Sequence, residues 1–283
     1  MPYIHNLNPI AFSLFGWQVY WYGVAYLLGF LFCRYWLPHC YQATLLAQKK
    51  SRQYHLSSTA WDDFLFIGIL ATLIGGRLGY ILFYHPIEFL TLPFFQWWQW
   101  LAIWQGGMAF HGAAIGLLIA SLWFAKRKKI DRWILIDSFC RAVPLALLIG
   151  RSANFINGEL IGRPIASPVW QSTIGVIFPH IDQTIRHPSQ LYEAFFEGLL
   201  LFCILHFLAI YKNSQTSLPI KFLPNGIIFS CFLFFYGGFR FVIEFFRAPM
   251  DGFIGIFTIG QFWCAMMMIM GLSFYMARVY KKL

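Results

Sequence analysis

Apolar runs long enough to cross a membrane recur along this chain and leave it few folds to choose from. A helix needs roughly 20 predominantly apolar residues to span a hydrocarbon core, and about seven stretches qualify. They are Trp17 to Leu37, Phe64 to Tyr84, Trp100 to Ala125, Trp133 to Gly150, Leu191 to Tyr211, Gly226 to Phe246 and Phe257 to Tyr280. Strand-like alternation is missing, which argues against a β-barrel. With 59% hydrophobic and 11% charged residues over 283 positions, a soluble domain with polar faces is excluded. The pattern predicts an all-α integral membrane protein of about seven transmembrane helices. Residues 1–283 then form a single polytopic domain.

Charge placement orients the helices. No basic residue precedes the first run, Arg34 lies inside it and no small-residue cleavage site follows, so it reads as a retained helix and not a cleaved signal. Lys49, Lys50 and Arg52 follow the first run, Lys126 to Lys129 and Arg132 the third, and Lys212 and Lys221 the fifth; the tail carries Arg278, Lys281 and Lys282. By the positive-inside rule these ends are cytoplasmic, and an odd number of spans places the N-terminus outside. Residues 85–99 carry no Lys or Arg, and the segment 151–188 carries only Arg151, Arg163 and Arg186; that segment is the expected periplasmic head. Topology and anionic inner-leaflet lipid account for the +10 net charge without nucleic acid.

Trp97, Trp98, Trp100 and Trp104 crowd one span start, as interfacial anchors do. The cysteines at 33, 40, 140, 203, 231 and 264 form no Cys-x-x-Cys pair, which points to packing and not to disulfides or zinc.

Arg77, His111, Asp137, Arg141, Glu193, Glu197, Arg240 and Glu244 lie within apolar runs. Each would cost roughly 2.5 to 3.5 kcal/mol at a lipid-facing helix centre, so each is expected to face an interior or a wet cavity. Arg240 with Glu244, Glu193 with Glu197, and Asp137 with Arg141 are i, i+4 neighbours on one helix face. A structural pair is the simplest reading of the last; for Arg240 and Glu244, structural pairing and substrate binding both stay open. Arg77, flanked by glycines, reads either as a paired helix-packing arginine or as a catalytic one. His111 can take a proton near neutral pH, and the small residues after it leave room for a ligand, although a lone membrane histidine is often only a hydrogen-bonded core group.

The run Gly150 to Pro164 is denser in polar chemistry. Arg151 and Arg163 can fork onto phosphate oxygens, Asn154 and Asn157 offer amide donors, and Glu159 can hold an arginine or a substrate hydroxyl. A helix cap with a salt bridge is the plainer reading. Cationic forks, a histidine and outward placement together favour an anionic lipid as ligand. A transporter, an intramembrane metalloprotease and a membrane scaffold are the competing classes. No internal repeat supports the first, no His-Glu-x-x-His supports the second, and the recurring charges are unexplained by the third.

Several motifs in one order then resemble a known family, the bacterial prolipoprotein diacylglyceryl transferases. They are Trp21-Tyr-Gly23, Gly75-Gly-Arg-Leu-Gly-Tyr80, Gly106-Gly-Met-Ala-Phe-His-Gly112, the Gly150 to Gly162 cluster, Arg186-His-Pro-Ser-Gln-Leu-Tyr-Glu193 and Phe239-Arg-Phe-Val-Ile-Glu-Phe-Phe-Arg247. The resemblance implies a multi-pass enzyme of the bacterial inner membrane. Its activity moves the diacylglyceryl group of phosphatidylglycerol onto the lipobox cysteine of a prolipoprotein signal peptide, forming a thioether and releasing glycerol 1-phosphate. The partners implied are phosphatidylglycerol, lipobox-containing prolipoproteins and membrane lipids; no metal or organic cofactor is implied. Carried over position by position, the site is Tyr22, His111, Arg151, Asn154, Glu159, Arg240 and Glu244, with His111, Arg151 and Arg240 catalytic and Arg151 matching the lipid-binding arginine. The chain departs from the family at Gly112-Ala113-Ala114, where Gly-Gly commonly follows the histidine, and at the Ala-Pro-Met before Asp251. The segment between Gly162 and Arg186 is also short for the family.

Overall fold

In a computed structural model, which describes residues 1–50, 55–84, 91, 93, 98, 107–214, 223–248, 253–254 and 256–280, the chain is mostly helical. Its elements divide between two units, Met1–Gln48 with Asp137–Leu283, and Lys49–Ile136. Four of the described helices are long and apolar enough to cross a membrane: Ser58–Leu82, Arg132–Asn157, Ser189–Asn213 and Ile259–Tyr280. A shorter apolar helix, Ile227–Ile243, joins them. Their outward faces are greasy, with Phe207 69% and Ile210 64% exposed, a surface that suits lipid and not water. The protein is a mostly helical integral membrane protein.

The first unit opens with short strands β1 (Tyr3–Ile4), β2 (Ile10–Leu14) and β3 (Trp17–Tyr20), and then α1 (Trp21–Ala47). The expected first span therefore starts late. Trp17 to Tyr20 pair antiparallel with β2 through a turn at Phe15 and Gly16, both at positive φ, and the helix begins at Trp21. Aromatic hairpin residues are as apolar as helix residues, so hydropathy does not separate the two.

The remaining long elements of this unit are α4 (Arg132–Asn157, from Asp137 on), α6 (Ser189–Glu193), a π-helical stretch (Ala194–Leu200), α7 (Leu201–Ser214), α8 (Ile227–Ile243) and α9 (Ile259–Tyr280). Hydrogen bonds at one end fix how they run. Asp137, buried near the start of α4, accepts from Lys212 Nζ at 3.2 Å at the end of α7, from Gly226 N at 2.8 Å and from Phe229 N at 3.0 Å. Gly226 precedes α8 at φ +94°, a conformation glycine tolerates, and α8 has no capping side chain of its own. A carboxylate from α4 thus satisfies orphan N–H groups at the α8 N-terminus, where negative charge is favoured. Asn225 adds bonds to Gln48 beyond α1 (2.6 Å) and to Arg278 near the end of α9 (2.8 Å).

Asp137 is structural, as expected, but its partner is Lys212. Arg141, one turn further on, reaches the Cys40 carbonyl at 3.3 Å instead. Since α1, α7 and α9 end where α4 and α8 begin, successive helices alternate in direction. The opposite end of this unit therefore gathers the starts of α1, α6 and α9 with the ends of α4 and α8.

That end carries the head segment. α4 continues through Arg151 and Asn154 to Asn157, beyond the expected limit at Gly150, so half of the polar cluster is helical. After it come α5 (Pro168–Thr173), β4 (Val176–Ile177) and β5 (Ile185–Arg186), and β4 pairs with β5 on one side and, in parallel, with β1 on the other. His5 bonds the Phe155 carbonyl at 2.7 Å, and its ring packs on Phe178.

In the second unit, α2 (Ser58–Tyr84) and α3 (Phe110–Arg127) run antiparallel. Their backbones touch. A Cβ on Gly75 would lie 2.5 Å from the Gly112 carbonyl oxygen, and one on Gly79 would lie 2.6 Å from the Gly112 Cα. The paired small-x-x-x-small spacings Gly75/Gly79 and Gly112/Gly116 allow this approach, which replaces a missing hydrophobic drive between lipid-bathed helices with van der Waals contact. Ala113, the family departure, turns its methyl toward Gly76, and Ala114 is exposed.

The expected third span is not helical over residues 107–109: Gly107 lies at φ +77°, where Arg77 and Tyr80 would crowd a side chain, Ala109 is extended, and α3 begins at Phe110. The expected start at Trp100, its companions Trp97 and Trp104, and Arg52, Lys221 and Asp251 lie outside the described residues.

Gly112→Ala sets a methyl against the Gly75 carbonyl and 2.7 Å from the Gly79 Cα. Overpacking of this kind costs about 1–3 kcal/mol, so the thermal unfolding midpoint in detergent is expected to fall. Gly23→Ala, whose Cβ meets nothing within 4 Å, is expected to leave that midpoint where it is or raise it slightly.

Candidate functional site

At the head end of the first unit, Arg151 and Arg240 meet on one carboxylate. Glu193 Oε2 lies 2.9 Å from Arg151 Nε, and Glu193 Oε1 pairs with Arg240 Nη1. Glu197 stands further off, 3.5 Å from Arg240 Nη1 and 3.8 Å from Arg151 Nη2, and Arg247 Nη1 is 3.5 Å from Glu193 Oε1. Arg240 Nη2 also pairs with Glu244 at 3.2 Å, and Glu244 accepts from Thr258 Oγ1 at 3.4 Å. Arg240 and Glu244 do form the i, i+4 pair expected from spacing, within a larger ion cluster.

Local structure builds this arrangement. Glu193 closes α6, and the π-helical stretch that follows carries Glu197; such wide turns recur at functional sites. Gly198 lets that stretch close on α4, since a Cβ there would lie 2.8 Å from the Leu148 Cα, one helical turn before Arg151. Burial then sorts the groups into layers. Glu193 and Glu197 are fully buried, whereas the side chains of Arg151 and Arg240 keep 17% and 14% exposure. The guanidiniums are thus the accessible layer and the two carboxylates the hidden one.

The Gly150 to Pro164 cluster divides. Asn154, buried on α4 next to Arg151, and Asn157 donate to Glu159 at 3.5 Å and 3.0 Å, and Gln190 bonds the Glu159 backbone carbonyl. Glu159 is thus held by amides and pairs with no arginine among the described residues, so fixing an arginine falls to Glu193 and Glu244. Arg163 Nε bonds the Arg247 carbonyl at 2.9 Å, tying the head loop to the end of α8. Tyr22 receives a hydrogen bond from the Tyr26 hydroxyl at 3.2 Å, and Tyr26 lies within the electrostatic reach of Arg151 and Glu159.

His111 belongs to the second unit, half-buried in the first turn of α3. Near it, Arg77 donates to the Gly107 carbonyl at 3.0 Å, which supports the packing reading of that arginine. Sequence reasoning left Glu193, Glu197 and Arg247 out of the site. The i, i+4 carboxylate pair inside an apolar run was the signal that could have placed the first two there. Among the described residues, no three His, Cys, Asp or Glu side chains lie together as a metal would require.

In the head, the Arg186 guanidinium beside Asp182, with the Thr184 N–H, holds the Asp182 carboxyl at about 2, below the usual carboxylate range. Burial lowers the His187 imidazole.

Residues 9–277 match the profile of the prolipoprotein diacylglyceryl transferase family. The chain is similar to proteins named phosphatidylglycerol–prolipoprotein diacylglyceryl transferase. That of Rickettsia bellii (strain OSU 85-389) is 42% identical over 270 residues, covering 94% of each chain. That of Rickettsia typhi is 39% identical over 280 residues and 98% of each. That of Nitrosomonas europaea is 42% identical over 259 residues, covering 90% of this chain and 82% of its own.

A carboxyl lowered by folding contributes stability above its unfolded value, about 3.9, and that contribution is lost as pH falls through the folded value. The Asp182–Arg186 pair is therefore expected to stabilise the head above pH of about 4 and to fail as pH drops toward about 2. In Arg186→Gln, the Asp182 midpoint read from its carboxyl carbon resonance is expected to return toward about 3.9.

Proposed function

The chain belongs to the prolipoprotein diacylglyceryl transferase family, and from that premise we infer that it transfers the diacylglyceryl group of phosphatidylglycerol to the lipobox cysteine of a prolipoprotein. This is the first step of bacterial lipoprotein maturation. The observation that carries the reading is the pair of partly accessible guanidiniums, Arg151 and Arg240, brought from separate helices onto one buried carboxylate at the end of a membrane bundle. Such a pair fits a phosphodiester headgroup.

A cysteine thiol near pKa 8.5 is only a few per cent thiolate at neutral pH, and His111 serves as its base, directly or through water. The thiolate attacks the glyceryl carbon that bears the phosphodiester. A carbon–sulfur bond forms as the carbon–oxygen bond breaks, and glycerol 1-phosphate leaves with the electron pair. Arg151 and Arg240 hold the phosphate and offset the charge growing on the leaving oxygen. Asn154 orients the headgroup, Glu159 accepts from a headgroup hydroxyl, Glu244 steadies Arg240, and Tyr22 donates to the lipid. The scheme calls on no metal or organic cofactor.

For the membrane we propose about seven spans in the bacterial inner membrane, as one polytopic domain over residues 1–283, with the N-terminus and the 151–188 head outside and the C-terminus cytoplasmic. Support comes from Lys212 and Arg278, which lie at the end of the first unit opposite Arg151. Substrates and surrounding lipids then meet the site from the outer leaflet, and nucleic acid has no part.

Incubation of the purified protein with phosphatidylglycerol and a lipobox peptide is expected to add a diacylglyceryl mass to the cysteine, read by mass spectrometry. Arg151→Ala and Arg240→Ala are each expected to cut the rate by about 10² to 10³, the usual loss for a donor aimed at developing charge. Near wild-type transfer by either variant would rule out the phosphate clamp. His111→Gln is expected to lower the rate and flatten its pH dependence near neutrality; an unaltered rate and profile would remove the base from the scheme.

A further inference from the structure

Glu193 has no part in the roles above, yet it is the most tightly held group of the cluster. One of its oxygens takes Arg151 and the other takes Arg240, while Glu197 reaches the same arginines only at 3.5 Å and 3.8 Å. It is sealed from any ligand, so it can act only through the arginines in front of it.

We propose that Glu193 is a positioning residue for the transfer: its two oxygens set the separation and facing of the two phosphate-binding guanidiniums. The inference rests on Arg151 and Arg240 being the phosphate clamp. Three features support it. Glu193 bridges two helices, with one oxygen in ion-pair contact with Arg151 Nε at 2.9 Å and the other on Arg240 Nη1, so a single carboxylate ties the two guanidiniums to one point. Contact with Glu193 uses the Arg151 Nε and Arg240 Nη1, Glu244 takes Arg240 Nη2 and Glu197 lies 3.8 Å from Arg151 Nη2, so Arg151 Nη1 is left without a carboxylate contact among the described residues. Glu193 itself is fixed from behind, since it closes α6 just before the stretch that Gly198 seats on α4.

A plain charge-balancing role makes the opposite prediction. If Glu193 only offset the arginines, removing its charge would leave the clamp more cationic and tighten it on anions. Two variants of the full-length protein in detergent separate these cases, with phosphatidylglycerol and a lipobox peptide as substrates and glycerol 1-phosphate as competing anion. Glu193→Gln is expected to lower kcat about a hundredfold, the scale of a 1 Å misplacement, with no tighter inhibition by glycerol 1-phosphate. Glu193→Asp keeps the charge and withdraws it by one methylene. It is expected to fold and to lose about tenfold or more in kcat with a smaller change in KM.

Wild-type kcat in Glu193→Gln with tighter glycerol 1-phosphate inhibition overturns the proposal in favour of charge balance. Should Glu193→Gln fail to fold, Glu193→Asp decides alone, and wild-type kcat there overturns the proposal. Wild-type protein that adds no diacylglyceryl mass to the peptide removes the reaction itself and this inference with it. An active wild type with both variants unaltered removes only the role of Glu193.

Discussion

Burying Glu193 in an apolar bundle obliges arginines from two other helices to come to it. An ion taken out of water costs several kcal/mol even after relaxation, and only close, well-directed partners repay that cost. Arg151 on α4 and Arg240 on α8 supply close opposite charges, so the ends of those helices and the end of α6 converge at one point. The seating of Gly198 against Leu148 and the π-helical turn that carries Glu197 adjoin that point.

The opposite end of the same bundle also buries an ion pair, and the contrast is informative. Asp137 has a lysine and two backbone N–H groups on its oxygens, and Lys212 is 5% exposed. Every group there faces inward and finds a partner, as a structural anchor requires. At the head end the acids are hidden and the bases are partly open. The same chemistry of charge burial thus encloses every charge at one end and leaves two cations partly accessible at the other.

The sequence made the helices legible because a bilayer-length apolar run has few alternatives, but it blurred their limits. Trp17 to Tyr20 read as helix because hydropathy cannot tell an aromatic hairpin from a helical turn. Asp137 was matched with Arg141 because i, i+4 spacing is the only neighbourhood a sequence displays; its true partners, Lys212 and the start of α8, are distant in the chain. Arg151, Arg240 and Glu244 were found through motifs, whereas Glu193 and Glu197 were seen as a shared face without their counterions. Glu159, expected on an arginine or a hydroxyl, is held by Asn154 and Asn157, a local contact that spacing alone does not rank above an ion pair.

The strand at Tyr3–Ile4 carries a consequence for how the protein is made. It pairs in parallel with Val176–Ile177, which in turn pair with Ile185–Arg186. During synthesis this strand cannot meet its native partner until the chain has been extended through α4 and into the head. Ordering that pairs the first residues with late ones is slow, because the entropy of a long loop is lost before any contact compensates for it. The head sheet can therefore close only once residues 176–186 have been made.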